Sequence, residues 1–297
     1  MNVGQPHPFI LQGLKKQTNH YKINYMHIAK KSVFALLIST FLNATAFAQK
    51  KIPDGISLLP ADKSNVSIFI VLKDLPDQYF LFTIPEIFTG QSLKEGLFNA
   101  DHTPWKINKH GAKRKLKTDK YQYQVKLKLL HTRNIYVVDW KITFTNNSTE
   151  TLYDLAAFNC LTMDRAPIFK DTGMVRTWVK DQTGKTTSLS TIQKTQGPHQ
   201  RTMQFYSAAG GITDLTKSNW INTWNVLSPA TLSGNSVWIY SKDENWKIET
   251  RVNEQAAYFF NNWEADHGCI HASPLLAREL KAGKTAVASG SFIFTNQ

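Results

Sequence analysis

The residues with the most chemistry to offer sit together near the C-terminal end. Within Ala256–Pro274 an apolar aromatic run, Ala256 to Phe260, passes through Asn261, Asn262 and Trp263 into Glu264, Asp266, His267, Gly268, Cys269 and His271. Two acids and two imidazoles so close in sequence could donate and accept protons around a ligand ring, which is what isomerases, lyases and hydrolases need. We therefore expect Glu264, His267 and His271 as acid/base groups, with Asn261 and Asp266 among the ligand contacts. In an extended chain the side chains of 267, 269 and 271 share a face, and imidazole with thiolate suits zinc or copper. The spacing matches no established zinc pattern, however. The expectation is histidines that hold local structure beside a disulfide, with no metal and no cofactor.

The second cysteine, Cys160, precedes a loop that carries Asp164 and Arg165. A Cys160–Cys269 disulfide, natural in an oxidising compartment, would draw that loop against the first stretch. Asp164 would then join the acid/base set, and Arg165 could clamp a substrate carboxylate by paired hydrogen bonds. The competing reading is an internal Asp164–Arg165 pair that fixes the turn before Pro167. Among eight tryptophans, Trp140, Trp238 and Trp246 fall in alternating strands and read as core. Trp220, Trp224 and Trp263 read as a platform for stacking on sugar C–H faces.

These groups must be carried by strands. Tyr121 to Leu129 and Ile135 to Thr145 alternate apolar and polar residues with period two, the mark of a half-buried strand. Val66–Leu72, Tyr79–Ile84 (closed by Pro85) and further runs out to Ala286–Phe294 read the same way. Helical signals are confined to Leu93–Phe98 and to Pro274–Leu280, where Ser273 would cap a helix with Pro274 at its first position. Many short strands without a linker predict an all-β chain: a large antiparallel two-sheet sandwich with few short helices.

At the N-terminal end, Lys30 and Lys31, the apolar run Val33–Leu42 and Ala46-Phe47-Ala48 form a secretory signal, residues 26–48, and residues 1–25 read as an over-extended start. The expectation is one domain over 49–297, secreted or periplasmic, with no stable membrane span after cleavage. Of 35 basic residues the leader takes five lysines and no acid, which leaves +8 on the mature chain. Much of that charge lies between Lys106 and Lys128. A basic surface can attract acidic polymers such as uronic-acid polysaccharides or nucleic acid, or can simply keep the chain soluble. No nucleic-acid-binding pattern accompanies it, so the expected partner is carbohydrate, acidic polysaccharide included.

Two patterns carry a resemblance. One is Val137–Leu152, an alternating strand running into Asn146-Asn147-Ser148 and an apolar restart. The other is Leu280-Lys281-Ala282-Gly283-Lys284-Thr285 before the terminal strand. Together they resemble the galactose-mutarotase-like β-sandwiches, whose members bind or rearrange sugars. The resemblance implies exported carbohydrate biology. It also implies a histidine and a glutamate in proton transfer, roles that no motif assigns to particular residues of this chain. The non-catalytic alternative is a glycan- or protein-binding module of the cell envelope.

Overall fold

The structure is a computed structural model and describes residues 55–61, 67–91, 97–98, 103–195, 204–212, 214–217, 226–263 and 268–297, with backbone alone at 97, 98, 262 and 263. The expected signal segment 26–48 and the residues before it, with Glu264, Asp266, His267, Trp220 and Trp224, lie outside these residues. All described residues belong to one compact unit, Lys51–Gln297.

Among the described residues there are seventeen strands: β1 (Ile56–Pro60), β2 (Ser67–Leu72), β3 (Leu75–Thr89), β4 (Leu97–Phe98), β5 (Lys106–Asn108), β6 (Gly111–Lys117), β7 (Tyr121–Thr132), β8 (Ile135–Asn146), β9 (Leu152–Arg165), β10 (Thr177–Asp181), β11 (Thr186–Ser188), β12 (Gln204–Ala208), β13 (Val226–Tyr240), β14 (Trp246–Val252), β15 (Ala256–Trp263), β16 (Gly268–Leu280) and β17 (Thr285–Asn296). Nearly all pairings are antiparallel; β12 with β13 is parallel. One layer runs β5-β6-β7-β8-β17-β14-β13-β10-β11. The other runs β13-β12-β15-β16-β9-β3-β2-β1. The long strand β13 belongs to both, its first half beside β12 and its second beside β14.

The alternation read from the sequence sets which side chains meet between the layers. On β8, Tyr136, Val138, Trp140, Ile142 and Phe144 are buried while Lys141 is exposed. They join one core with Phe80, Phe82 and Phe88 of β3 and Phe292 and Phe294 of β17. Ring pairs stitch the layers: Phe82 to Phe292 at 4.4 Å, Phe88 to Phe144 at 4.7 Å and Phe80 to Phe294 at 5.0 Å. Each such pair adds about 0.5–1.5 kcal/mol beyond its buried area. Gly290 of β17 stands opposite Trp140, and a Cβ there would lie 2.3 Å from the indole and 2.1 Å from the Arg251 carbonyl. The bulky core residue dictates the glycine.

Two local expectations are corrected. Pro274–Leu280 is not a helix but the second half of β16, paired with β9 on one side and, around Pro274, with β15 on the other. Ser273 and Pro274 are good helix-start residues, yet a strand with partners on both edges satisfies its backbone more fully than a short capped helix does. Pro85 does not close β3, which continues to Thr89 through a register shift between Thr83 and Ile87. Of Leu93–Phe98, only Leu97 and Phe98 are described, and they are strand.

Candidate functional site

The second layer has a face turned away from the main core, and there the reactive side chains converge. By the register of β9 with β16, Thr162 stands opposite Cys269 and Leu161 opposite Ile270, which sets Cys160 opposite His271. Period-two alternation puts Phe158, Cys160 and Thr162 of β9, Cys269 and His271 of β16 and Tyr258 and Phe260 of β15 on this face. A satellite apolar cluster surrounds them, built from Phe158, Phe205, Phe260, Ile212 and Leu215 among others. Gly211 lets the turn after β12 lie against β15, since a Cβ there would meet the Ala257 carbonyl at 2.3 Å.

Hydrogen bonds fix the imidazole. His271 Nδ1 lies 2.7 Å from the Asn159 carbonyl, and a carbonyl only accepts, so Nδ1–H is the donor. In the neutral ring Nε2 is then an acceptor, and it lies 2.9 Å from Cys269 Sγ. Phe158 stacks on the ring at 4.3 Å and Phe260 meets it edge-on at 5.0 Å. Cys160 Sγ is 3.1 Å from Thr162 Oγ1. Its thiol is pushed well above the ordinary range, first by its hydrogen bond to Cys269, then by burial and by electrostatic interaction with Cys269 and Glu86. Tyr258, whose phenol is 3.1 Å from Thr89 Oγ1, is pushed up as well, chiefly by burial. All are enclosed: Cys160 is 7%, Cys269 2% and His271 1% exposed.

The two cysteines are therefore neighbours, as expected, but they are not disulfide-bonded. The register gives the reason. Cys160 and Cys269 are diagonal across the strand pair, where Cα atoms stand about 7–8 Å apart, beyond the about 4.4–6.8 Å a disulfide tolerates. Strand pairing, and not a covalent link, brings the segment after 160 beside the C-terminal stretch. There Asp164 Oδ1 accepts a hydrogen bond of 2.8 Å from the Gly268 N–H. Asp164 thus fixes the start of β16.

Other expected contacts point elsewhere. Arg165 lies with its guanidinium 5.1 Å from the Phe69 ring centre, at the edge beside β3. Asn261 is 1% exposed and turns toward the interlayer core, its Nδ2 2.8 Å from Met174 Sδ. Trp263 is described by its backbone, opposite Gly268. Sequence reasoning missed Glu86, Thr162 and Tyr258. The register shift after Thr83 carries Glu86 close enough to Cys160 and Tyr258 to act on both electrostatically. Period-two alternation from Phe260, had it been followed back, would have placed Tyr258 on the reactive face.

The outer face of the other layer holds a second feature. Lys106 pairs with Lys113, Lys113 with Lys126, and Lys126 with Lys141, so four lysines stand directly opposite one another across β5, β6, β7 and β8. All four are exposed, as are Lys115 and Lys128 beside them. At about 4.8 Å per strand the row is about 14 Å long. No described acid forms an ion pair with any of the four. The acids nearby are engaged: Asp139, opposite Lys128, accepts from Ser291 Oγ, and Glu254 accepts from Ser289 at the β17 end of the row. Like charges directly opposite oppose folding, so this row is a cost that a bound anion would relieve.

Comparison with family models and with curated proteins finds no match to the sequence. Solved structures give distant likenesses. The Slr1438 protein from Synechocystis sp. PCC 6803 is 10% identical with a TM-score of 0.42, over 82% of this chain and 96% of that one. An Escherichia coli K12 protein named as a candidate aldose 1-epimerase is 11% identical with a TM-score of 0.41, over 82% and 99%. A galactose mutarotase-like protein from Clostridium acetobutylicum is 10% identical with a TM-score of 0.33, over 82% and 79%.

Proposed function

We propose that this is an exported carbohydrate-handling protein that binds an acidic polysaccharide along the row Lys106, Lys113, Lys126 and Lys141. The carrying observation is that row: four unpaired, exposed ammonium groups in register, with the exposed Lys115 and Lys128 beside them. A regular line of positive charge suits a linear polymer that repeats its carboxylates, and Gln124 and Thr143 beside the row can hydrogen-bond sugar hydroxyls. Single-stranded nucleic acid is held by basic grooves interleaved with aromatic platforms, and this face offers no aromatic ring among the strand positions that flank the row. The acid/base enzyme is the weaker reading. It needs an imidazole open to ligand, whereas His271 is buried with both ring nitrogens engaged.

The test is affinity electrophoresis of the mature protein through gels containing polygalacturonate or neutral dextran. Retardation by the acidic polymer alone, lost in the double variant Lys126→Gln, Lys141→Gln, is the expected result. Equal retardation by dextran, or none by either polymer, rejects the reading. Export is checked separately by an extracellular or periplasmic product that begins at Gln49.

A further inference from the structure

We propose that Cys160, Cys269 and His271 form a binding site for one thiophilic closed-shell metal ion, zinc(II) or copper(I), on the face of β9 and β16. Among the described residues, one ligand atom from each of these three side chains lies within 4.8 Å of the other two. A zinc ion takes sulfur at about 2.3 Å and imidazole nitrogen at about 2.0–2.1 Å, which sets its ligand atoms roughly 3.5–3.8 Å apart in a tetrahedron. The present spacing, at most 4.8 Å between ligand atoms and 2.9 Å from His271 Nε2 to Cys269 Sγ, needs side-chain shifts of up to about 1 Å to meet that.

Three further features fit. The donor set is soft, two sulfurs and an imidazole, and soft donors select zinc and copper(I) over magnesium or calcium. The imidazole is already oriented by a second partner: Nδ1–H donates to the Asn159 carbonyl and leaves Nε2 directed at the sulfurs, the usual arrangement behind a metal-bound histidine. And the diagonal placement of the cysteines that disfavours a disulfide is no obstacle to an ion between them, which does not require the short Cα separation of a covalent bridge. On binding, each thiol releases its proton to solvent and its sulfur donates a lone pair to the ion. Three donors satisfy copper(I); for zinc(II) they leave a fourth position for water or ligand. The site is on the opposite layer from the lysine row and does not depend on polysaccharide binding.

The test uses reduced, metal-stripped mature protein handled without oxygen. Cobalt(II) is added as a spectroscopic probe for zinc, and zinc(II) and copper(I) are each titrated against a chromophoric competing chelator. The expected result is one equivalent bound, a sulfur-to-cobalt charge-transfer band, and at least a tenfold loss of affinity in Cys160→Ser and in Cys269→Ser. Tight binding of either ion supports the site and names its occupant. If the serine variants do not fold, as judged by circular dichroism, the wild-type cobalt spectrum and the protection of both thiols from alkylation by bound zinc(II) or copper(I) decide. Absence of the band together with no stoichiometric binding of either ion overturns the proposal. So does a native protein isolated with the two sulfurs joined, or unaltered affinity in a folded serine variant.

Discussion

If the lysine row is kept for binding, neutralising its centre should stabilise the fold. Lys126 is the position to change, because it has a lysine opposite on both sides, Lys113 on β6 and Lys141 on β8, and lies on the long strand β7. Two unit charges about 5–6 Å apart in water repel by about 0.7–0.8 kcal/mol before screening. At 0.1 M salt the Debye length of about 10 Å removes roughly 40% of that. Two such pairs give about 0.9 kcal/mol, and side-chain freedom at an exposed site lowers the figure further. We expect Lys126→Gln to raise stability by about 0.5–1 kcal/mol at low salt, or about 1–3 °C in Tm for a unit of this size. Lys115→Gln is the control, since Lys115 faces Gln124 and its change should stay within about 0.5 kcal/mol. Urea unfolding at 20 mM and 500 mM salt measures both. A Lys126→Gln protein no more stable than wild type at low salt, or a gain that does not shrink at high salt, refutes the reasoning.

Other perturbations probe the frame. Gly290→Ala forces a Cβ against the Trp140 ring and the Arg251 carbonyl and should cost at least about 3 kcal/mol, read as a lowered urea midpoint or loss of soluble protein. Phe82→Ala removes a wholly buried ring packed on Phe292 and should cost about 3–5 kcal/mol by the same measurement. Burial pushes the Glu249 carboxyl up, but hydrogen bonds and charge from Lys247 and Arg251 outweigh it, and the group is held below its ordinary value. A lowered folded-state value stabilises above the unfolded pKa of about 4.3 and is lost as pH falls through the folded one. Glu249→Gln should therefore cost about 1 kcal/mol at pH 7, with the gap to wild type closing below about pH 4 in a pH series of unfolding curves.

Much of the architecture was legible because alternation is a local property. Tyr121 to Leu129 and Ile135 to Thr145 announce which side chains face inward, and the paired strands keep that assignment. Pro274 misled for the same reason: its neighbours carry a good helix start, and only the flanking strands β9 and β15, far away in sequence, decide otherwise. The site was half legible. Cys269 and His271 share a face by spacing alone, and the guess that Cys160 joins them was right about place and wrong about bond, because pairing register is a tertiary quantity. Glu86 was hidden behind Pro85, where the strand bends through a register shift and goes on. Density of lysine was visible between 106 and 128, yet the row was not. Turn lengths held the missing information: the two-residue turns Lys109-His110 and Arg133-Asn134, with Thr118 to Lys120 between, fix Lys106, Lys113, Lys126 and Lys141 opposite one another.

The measurement that bears most directly on the central claim is the salt dependence of polygalacturonate binding, compared between wild type and a variant with all four row lysines changed to glutamine. Four ammonium groups that each displace condensed counterions give a slope of log affinity against log salt of about −3, if the coefficient of about −0.7 per charge for single-stranded nucleic acid is carried over to this polyanion. The account predicts that slope for wild type and one near zero for the folded variant, with binding reduced at every salt concentration. Equal slopes and equal affinities in the two proteins would contradict it.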